Sequence, residues 1–395
     1  MTPNARYAAA IEILDPILGG EPAEKTLTNW ARGNRYAGSK DRAAVRDIVF
    51  DCLRQKRSLM FNAGFDGARG LVAGHILAAG QSVADVFTGE RFAAGVLSDA
   101  ELGHLDQTKE AVSDAVRLDI PDWIEPKLRV GLGDSFDADL TALQSRAPLD
   151  LRVNTQKASL VQVQAALAKD GIETEVVAVV PNALRVKTNP RRVALSDAYQ
   201  NGLVEIQDAG SQAVVDALPL DGVKTVLDYC AGGGGKTLAM AARVGGAVQF
   251  DAYDQNKARM KDLPARAKRA GVSVRTLQVD PVLAGKTYDL VLLDVPCSGT
   301  GAWRRNPDGK WRFNEAELQD LLRTQAEILA KASAMVAADG WLAYVTCSLL
   351  QEENEAQVAR FLDDHKSWET VLSKRFYPSN GTDGFFLSLF KKIQL

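Results

Sequence analysis

Two cysteines stand in short motifs that suit covalent chemistry better than core packing. Cys297 follows a proline and precedes a Ser-Gly-Thr-Gly turn, and Cys347 lies just past the apolar run GWLAYVT. Cysteine is often a small buried apolar residue, which is the interpretation that we prefer for Cys52 and Cys230. A thiolate, by contrast, is a strong nucleophile for covalent catalysis. We interpret Cys297 and Cys347 as a reactive pair at one edge of a sheet.

Carboxylates follow the other strands of the same predicted sheet. From Lys224 onward, short apolar runs alternate with helical stretches, a pattern typical of an α/β doubly wound parallel sheet. Ligands bind outside the carboxyl ends of the strands in such sheets. The polar or reactive residues near these ends are Asp228, Asp254, Asp280, Asp294 and Cys347. The sequence therefore predicts one functional edge that gathers acids and thiols.

The stretch DYCAGGGGKT, Asp228 to Thr237, has two interpretations. Its end fits a phosphate-binding P-loop, but Cys230 stands where that motif needs its first glycine. Asp254 instead suits the ribose of a nucleoside cofactor, and Asp280 suits an adenine amino group. A NAD site lacks support, because the spacing is not G-x-G-x-x-G and no hydride-transfer partner is visible. S-adenosylmethionine fits, since its carboxylate suits the helix N-terminus that follows the glycines.

Composition limits the class of protein. The 395 residues carry a net charge of -3, with 25% charged and 46% hydrophobic residues, as in soluble globular proteins of two or three domains. No apolar run approaches the roughly 20 residues that span a bilayer, and no signal peptide is visible. The four cysteines form no CxxC pair and the three histidines lie far apart. We therefore expect reduced thiols, a cytoplasmic protein, no membrane contact and no metal site.

The first 140 or so residues have helical periodicity. In SKDRAAVRDIVFDCLRQKRSLM, one face carries Val45, Ile48, Val49, Cys52 and Leu53. The interval from Lys25 to Arg57 holds nine Lys/Arg against three Asp/Glu. This excess fits either a solvated helix face or an RNA-phosphate footprint. After Ala147, the runs LDLRVNT and NALRVKT predict strands around a helix, which together form a small α/β unit.

These segments resemble the RsmB-type, Sun-like family of RNA (cytosine-5) methyltransferases over almost the whole chain. The most specific segments are LDVPCSGTG at 293–301, RRNPDGKWR at 304–312 and TCSLLQEENE at 346–355. The resemblance implies a helical NusB-like RNA-binding domain over 1–140 and a small α/β subdomain over 141–210. It further implies a Rossmann-like, S-adenosylmethionine-dependent catalytic domain over 211–395. Gly232 and Gly233 replace the family's usual Ala-Pro, which makes the loop more pliable.

The resemblance also implies a role for each site residue. Cys347 is the implied nucleophile, Cys297 is needed for release, and Asp294 hydrogen-bonds the base. Lys236 would reach toward Asp294, and we hypothesise that its charge activates a thiol. The residues alone do not say which cysteine does which job. The implied cofactor contacts are Cys230, Ala231, Gly232, Gly233, Gly234, Gly235, Lys236, Asp254, Arg259, Asp280 and Asp294.

The implied partner is RNA, with 16S ribosomal RNA favoured, and we expect a monomer. The target base has to be single-stranded or flipped out to reach a pocket. The segment WRRNPDGKWR mixes cations with tryptophans, as single-strand binding surfaces do, although both tryptophans also suit a core. The predicted RNA contacts are Arg152, Asn154, Trp303, Arg304, Arg305 and Arg312.

Two other functions compete with this prediction. A DNA cytosine methyltransferase shares the Pro-Cys nucleophile but leaves the second motif, TCS, without a role. A non-catalytic RNA-binding ribosome-assembly protein with a degenerate site accommodates the altered glycine loop. It leaves the two cysteines and the strand-end acids unexplained.

Overall fold

The computed structural model describes residues 1–105 and 111–393. In chain order the α-helices are α1 (Pro3–Leu18), α2 (Ala23–Gly33), α3 (Ser39–Arg54), α4 (Lys56–Ala63), α5 (Gly67–Ala78), α6 (Asp99–Leu105), α7 (Asp114–Arg117), α8 (Glu125–Leu132), α9 (Phe136–Leu143), α10 (Leu160–Lys169), α11 (Asp197–Gln200), α12 (Ala209–Asp216), α13 (Gly235–Val244), α14 (Leu263–Ala270), α15 (Pro307–Arg312), α16 (Glu315–Ser333) and α17 (Glu355–Asp364). The strands are β1 (Asp150–Val153), β2 (Thr174–Val176), β3 (Ala183–Val186), β4 (Val204–Ile206), β5 (Thr225–Asp228), β6 (Gln249–Ala252), β7 (Val274–Thr276), β8 (Tyr288–Asp294), β9 (Val336–Thr346), β10 (Trp368–Phe376) and β11 (Phe385–Lys392). Within the two described ranges, none of the helices combines the length and the apolar character that crossing a bilayer requires.

The chain divides into two compact units. The helical unit comprises Met1–Arg129, Gly133–Arg146 and Trp303–Glu315, and the sheet unit comprises Val130–Leu132, Ala147–Ala302 and Ala316–Leu395. The boundary predicted at residue 140 lies within the segment Gly133–Arg146 of the helical unit. The segment 303–315 is different, because it interrupts the predicted catalytic domain in sequence yet belongs to the helical unit.

Helices α1, α3 and α5 of the helical unit contribute to one hydrophobic core. Ile13 and Leu14 of α1 are buried there, together with Val45 and Val49 of α3 and Leu71 of α5. The predicted apolar face of α3 is thereby confirmed. Helices of this kind are stabilised mainly by burying an apolar stripe against their neighbours.

The segment Trp303–Glu315 contacts the C-terminal end of α3 through its helix α15. The indole Nε1 of Trp311 donates to the carbonyl oxygen of Leu53 at 2.7 Å, and Nζ of Lys310 donates to the carbonyl oxygen of Arg54 at 2.9 Å. The last carbonyls of a helix have no partner within the helix, so these two donors satisfy them. The contacts explain why the segment belongs to the helical unit.

The sheet unit contains a small sheet and a large one. The small sheet has the order β2-β3-β1-β4, all antiparallel, and carries α10 between β1 and β2. The large sheet has the order β10-β11-β9-β8-β5-β6-β7. Its strands β5 to β9 are parallel, and β10 and β11 pair antiparallel at one edge. The predicted α/β parallel sheet is confirmed, and β2, β10 and β11 are additions to the prediction.

Both faces of the large sheet are covered. Leu227, Val291 and Leu293 point into one apolar core, whereas Leu290 and Leu292 point into the other. This alternation explains the nearly continuous apolar sequence of β8, because successive side chains of a strand enter opposite layers. Five parallel strands then present their carboxyl ends at a single edge.

Candidate active site

The two predicted cysteines meet at the carboxyl ends of β8 and β9. These strands are parallel neighbours in which Asp294 pairs with Val345, so the loops that follow them start side by side. The Sγ atoms of Cys297 and Cys347 lie 3.4 Å apart. The hydrogen bond with Cys347 and then burial raise the pKa of the Cys297 thiol well above its ordinary value. Cys297 therefore keeps its proton at neutral pH and can donate it toward Cys347.

A buried carboxylate ties the two cysteine loops together. Glu353 is fully buried, and its Oε1 accepts hydrogen bonds from the backbone N–H of Ser298 at 2.8 Å and from Gln325 at 2.9 Å. Its Oε2 accepts from the hydroxyl of Ser298 at 2.5 Å and from the hydroxyl of Ser348. Each serine directly follows one of the two cysteines. Glu353 therefore fixes the separation of the two thiols.

Two backbone contacts reinforce this link. The N–H of Gly301 donates to the carbonyl oxygen of Cys347 at 2.9 Å. The N–H of Leu349 donates to Oγ1 of Thr300 at 2.7 Å. The quoted motif TCSLLQEENE contains Glu353, but no role was predicted for it from the sequence. The sequence shows only a carboxylate six residues after Cys347. Its anchoring role also requires Ser298 from the other cysteine loop, which the sequence does not place beside it.

The predicted contact between Lys236 and Asp294 is present. Nζ of Lys236 donates to Oδ2 of Asp294 at 2.6 Å, and the Lys236 side chain is only 8% exposed. Burial opposes the charge of this lysine, but the nearby Asp294 and Cys347 outweigh burial and raise the pKa of Lys236. The ammonium therefore stays charged at neutral pH and lies in the electrostatic field of Cys347.

The glycine loop connects β5 to α13 and takes a conformation that other residues adopt at a cost. Gly232 has φ +52° and Gly234 has φ +77°. The N–H of Gly232 donates to Oδ2 of Asp254 at 2.9 Å, which links the loop to the end of β6. A Cβ on Gly234 would lie 2.2 Å from Cδ1 of Leu263, so only glycine fits against α14.

The remaining strand-end acids have different surroundings. Asp280 accepts from the hydroxyl of Tyr229 at 3.1 Å and pairs with Lys331 at 2.5 Å. Asp228 is buried and accepts from Oγ1 of Thr237 at 2.6 Å. Burial raises the pKa of Asp228 to about 7. Asp228 therefore supports the start of α13 from beneath the loop.

Comparison with known proteins places this geometry in a family. The 16S rRNA methyltransferase RsmB/F family model matches residues 215–391, and a ferredoxin-like domain model for RsmF/B-like methyltransferases matches residues 120–193. The "Probable ribosomal RNA small subunit methyltransferase B" of Synechocystis sp. is 32% identical over 312 residues, which cover 73% of this chain and 70% of that protein. The chain belongs to the RsmB/F family of 16S rRNA methyltransferases.

Further relatives agree with this membership. Ribosomal RNA small subunit methyltransferase B of Sodalis glossinidius is 33% identical over 66% of this chain and 61% of its own length, so the chain spans less than two thirds of it. The crystal structure of PH0851 has a TM-score of 0.75 at 24% identity and covers 99% of this chain and 100% of that one. The structure of NSun6 from Pyrococcus horikoshii with SFG has a TM-score of 0.61 at 18% identity and covers 70% and 99%. Both solved structures support the fold.

S-adenosyl-L-methionine is the methyl donor of this methyltransferase family, and the residues present fit it. A Cβ on Gly232 would lie 3.2 Å from Nη2 of Arg259, and a Cβ on Gly233 would lie 3.0 Å from Nη1 of Arg266. The two glycines thus let two guanidinium groups approach the loop backbone closely, and a side chain at either position would crowd them. Oδ1 of Asp228 is buried without a hydrogen-bond partner among the described residues. Together with Asp254, these groups form a polar cradle at the edge of the sheet.

The structure places most predicted RNA contacts away from the surface. Arg152 is 8% exposed and donates to the carbonyl oxygen of Leu238 at 2.9 Å, and Asn154 is 3% exposed and donates to two backbone carbonyls. Trp303 and Arg304 are also buried. Because buried groups do not face a polyanion, the structure gives these four residues no exposed surface for RNA, and their predicted contact stays a prediction. Arg305 and Arg312 are exposed and remain predicted RNA contacts.

Proposed function

We propose that the chain methylates carbon 5 of a cytosine in small-subunit ribosomal RNA through a covalent adduct with Cys347. The single observation that carries this proposal is the pair of thiols, Cys297 and Cys347, 3.4 Å apart at the ends of adjacent parallel strands. A one-cysteine mechanism would leave one of them without a role. The ribosomal RNA substrate rests on family membership.

The proposed reaction begins at carbon 6 of the cytosine. Carbon 5 of the base is a weak nucleophile, and the addition of a thiolate to carbon 6 makes it enamine-like. The raised pKa of Cys297 keeps that residue as a thiol, which favours Cys347 as the attacking group. Lys236 interacts electrostatically with Cys347, and we hypothesise that its positive charge promotes the attack.

Asp294 suits the role of orienting the base. Its Oδ2 is held by Lys236, and its side chain is 35% exposed at the mouth of the site. A carboxylate oxygen there accepts a hydrogen bond from a protonated N3, which favours addition at carbon 6. S-adenosyl-L-methionine supplies an electrophilic methyl group when it is bound.

Release requires that a water molecule from solvent accepts the proton on carbon 5 and that the bond from carbon 6 to Sγ of Cys347 breaks. The bonding electrons of the C5–H bond re-form the C5=C6 double bond, and the Cys347 thiolate departs. Cys297 lies within hydrogen-bond distance of that sulfur. We assign release to Cys297 on this contact and on the family resemblance.

Replacing each cysteine separately tests the proposal. Cys297→Ala should accumulate an RNA–protein adduct that survives denaturing electrophoresis, because addition and methyl transfer proceed while release fails. Cys347→Ala should form no adduct. An adduct that forms in Cys347→Ala, or full turnover in both variants, would overturn the assignment. Bisulfite sequencing of RNA from cells with and without the gene identifies the modified cytosine.

A further inference from the structure

A cavity of about 480 Å³ opens between α2 and α3 of the helical unit. Four arginines surround it, and Leu27 and Trp30 contribute apolar surface. The arginines are Arg32, Arg35, Arg42 and Arg46. We call this cavity with its six residues the arginine pocket. It lies in the basic interval 25–57, for which the sequence left a solvated face and an RNA footprint as alternatives.

The nine cations of that interval separate into two groups in the structure. Arg54, Lys56 and Arg57 serve the helical unit itself: Arg54 is buried, Lys56 lies over the ring of Trp311, and Arg57 pairs with Asp122. The other six are exposed. The solvent-facing part of the interval is therefore concentrated on the arginine pocket and its neighbours.

The charge of the arginine pocket is largely uncompensated. Arg46 pairs with Glu24 at 2.7 Å, and Nε of Arg42 donates to the neutral carbonyl oxygen of Ala37 at 2.8 Å. The side chains of Arg32 and Arg35 form no hydrogen bond or ion pair with any residue that the structure describes. Exposed arginines without acidic neighbours repel one another, so their grouping around one cavity favours an anionic ligand.

We propose that the arginine pocket binds one unpaired nucleotide of the RNA substrate, with its phosphate on Arg32 and Arg35. The guanidinium group has a planar set of donors that matches phosphate oxygens. The volume of about 480 Å³ suits a nucleotide rather than a duplex. Leu27 and Trp30 provide an apolar wall for the base. This inference rests on the proposed RNA substrate, and it adds an RNA contact site outside the candidate active site.

Tyr36 adds a feature that favours nucleic acid over an acidic peptide. It follows Arg35 directly, and it is 72% exposed. Exposed aromatic rings beside cations are the surfaces on which unpaired bases stack. An acidic peptide would use the arginines but not the ring.

The test compares two double variants of the full-length protein. Arg32→Gln/Arg35→Gln removes the two unpaired cations of the arginine pocket. Arg323→Gln/Arg360→Gln removes two exposed arginines from α16 and α17 and serves as the charge-matched control. Filter binding of in vitro transcribed 16S rRNA at several KCl concentrations gives Kd and its salt dependence for each, and circular dichroism verifies that each is folded.

We expect the Kd of the pocket variant to rise about tenfold and its salt slope to fall by about 2, roughly 1 for each lost phosphate contact. The control variant should keep both values. Arg32→Lys/Arg35→Lys should keep the slope and lose part of the affinity, because lysine retains the charge without the planar donors.

Three results would overturn the inference. The first is an unchanged Kd in the folded pocket variant, and the second is an equal loss in the control variant. The third is displacement of the RNA by poly-glutamate at equal concentration, which would indicate an acidic protein partner. If the wild-type protein methylates no cytosine but the pocket variant still binds RNA more weakly than the control variant, the proposed function is refuted. The inferred role of the arginine pocket then still holds.

Discussion

The Sγ atoms of Cys297 and Cys347 lie 3.4 Å apart, although 50 residues separate them in the chain. Diamide should therefore join them reversibly, since two neighbouring thiols lose two protons and two electrons as diamide becomes its hydrazine. We expect loss of activity that dithiothreitol restores, and a peptide map that shows the 297–347 cross-link. The fully buried Cys52 should stay reduced. Cys297→Ser cannot form the cross-link, so loss of its RNA–protein adduct formation after the same treatment would contradict this mechanism.

Glu353 should act as a positioning residue for both thiols. Glu353→Gln replaces an acceptor of hydrogen bonds from Ser298 and Ser348 with an amide, so the two loops lose their common anchor. We expect kcat to fall about 10- to 100-fold, as small misplacements of reacting groups do, with the affinity for S-adenosylmethionine retained. Glu355→Gln, which removes the partner of Arg375, is the matched control. Isothermal titration and steady-state kinetics separate the two effects.

Lys236 should promote the reactivity of the active-site thiols. Lys236→Met removes a buried ammonium. Burial lowers the pKa of Lys236, but its interactions with Asp294 and Cys347 outweigh burial and raise it. We expect iodoacetamide to alkylate Cys347 more slowly in this variant at neutral pH. Mass spectrometry of the labelled peptides measures the rate. Lys286→Met, which breaks the contact of that lysine with Asp251, is the control and should leave the rate unchanged. Equal rates in the wild type and Lys236→Met would discard the activation hypothesis.

Gly234 and Gly222 offer a matched pair for the glycine loop. Both have φ +77°, but a Cβ on Gly234 meets Leu263 at 2.2 Å, whereas a Cβ on Gly222 meets nothing within 4 Å. Gly222→Ala should cost about 1 kcal/mol of unfolding free energy for the left-handed backbone. Gly234→Ala should cost about 1–3 kcal/mol more, through overpacking, and weaken cofactor binding. Urea unfolding measures the stability of each variant, and calorimetric titration measures its affinity for the cofactor. Equal losses of unfolding free energy in the two variants would show that the Leu263 contact is unimportant.

Lys310 should make the stability of the protein depend on pH. Burial lowers the pKa of Lys310 from 10.5 to about 7. Between these values the unfolded chain binds a proton that the folded chain lacks, so the unfolding free energy of the wild type rises with pH. Lys310→Met loses this rise, and its stability relative to the wild type should be highest near pH 7 and fall toward pH 10. Urea unfolding at several pH values checks the trend, which the exposed control Lys366→Met should lack.

Much of the sheet and its functional edge could be predicted from local sequence. Strands covered on both faces are short apolar runs, and a polar residue that follows such a run marks where the strand ends. The apolar runs that end at Asp228 and Asp294 are strands β5 and β8 of the large sheet. The run that ends directly before Cys347 is strand β9. Strands β10 and β11 escaped prediction, because they carry Lys, Arg, Glu and Ser among their apolar residues.

The sequence by itself determined the family, the order of the parallel strands along the chain and the two thiols at their ends, because each of these is encoded in contiguous residues. Only the tertiary structure decided which charged side chains are exposed and can contact a ligand. Arg152 is buried and Arg32 is exposed, although both stand in basic surroundings. The anchoring of two loops by Glu353 and the inclusion of 303–315 in the helical unit were decided there too. Burial and hydrogen bonding depend on partners far away in the chain, and no local pattern encodes them.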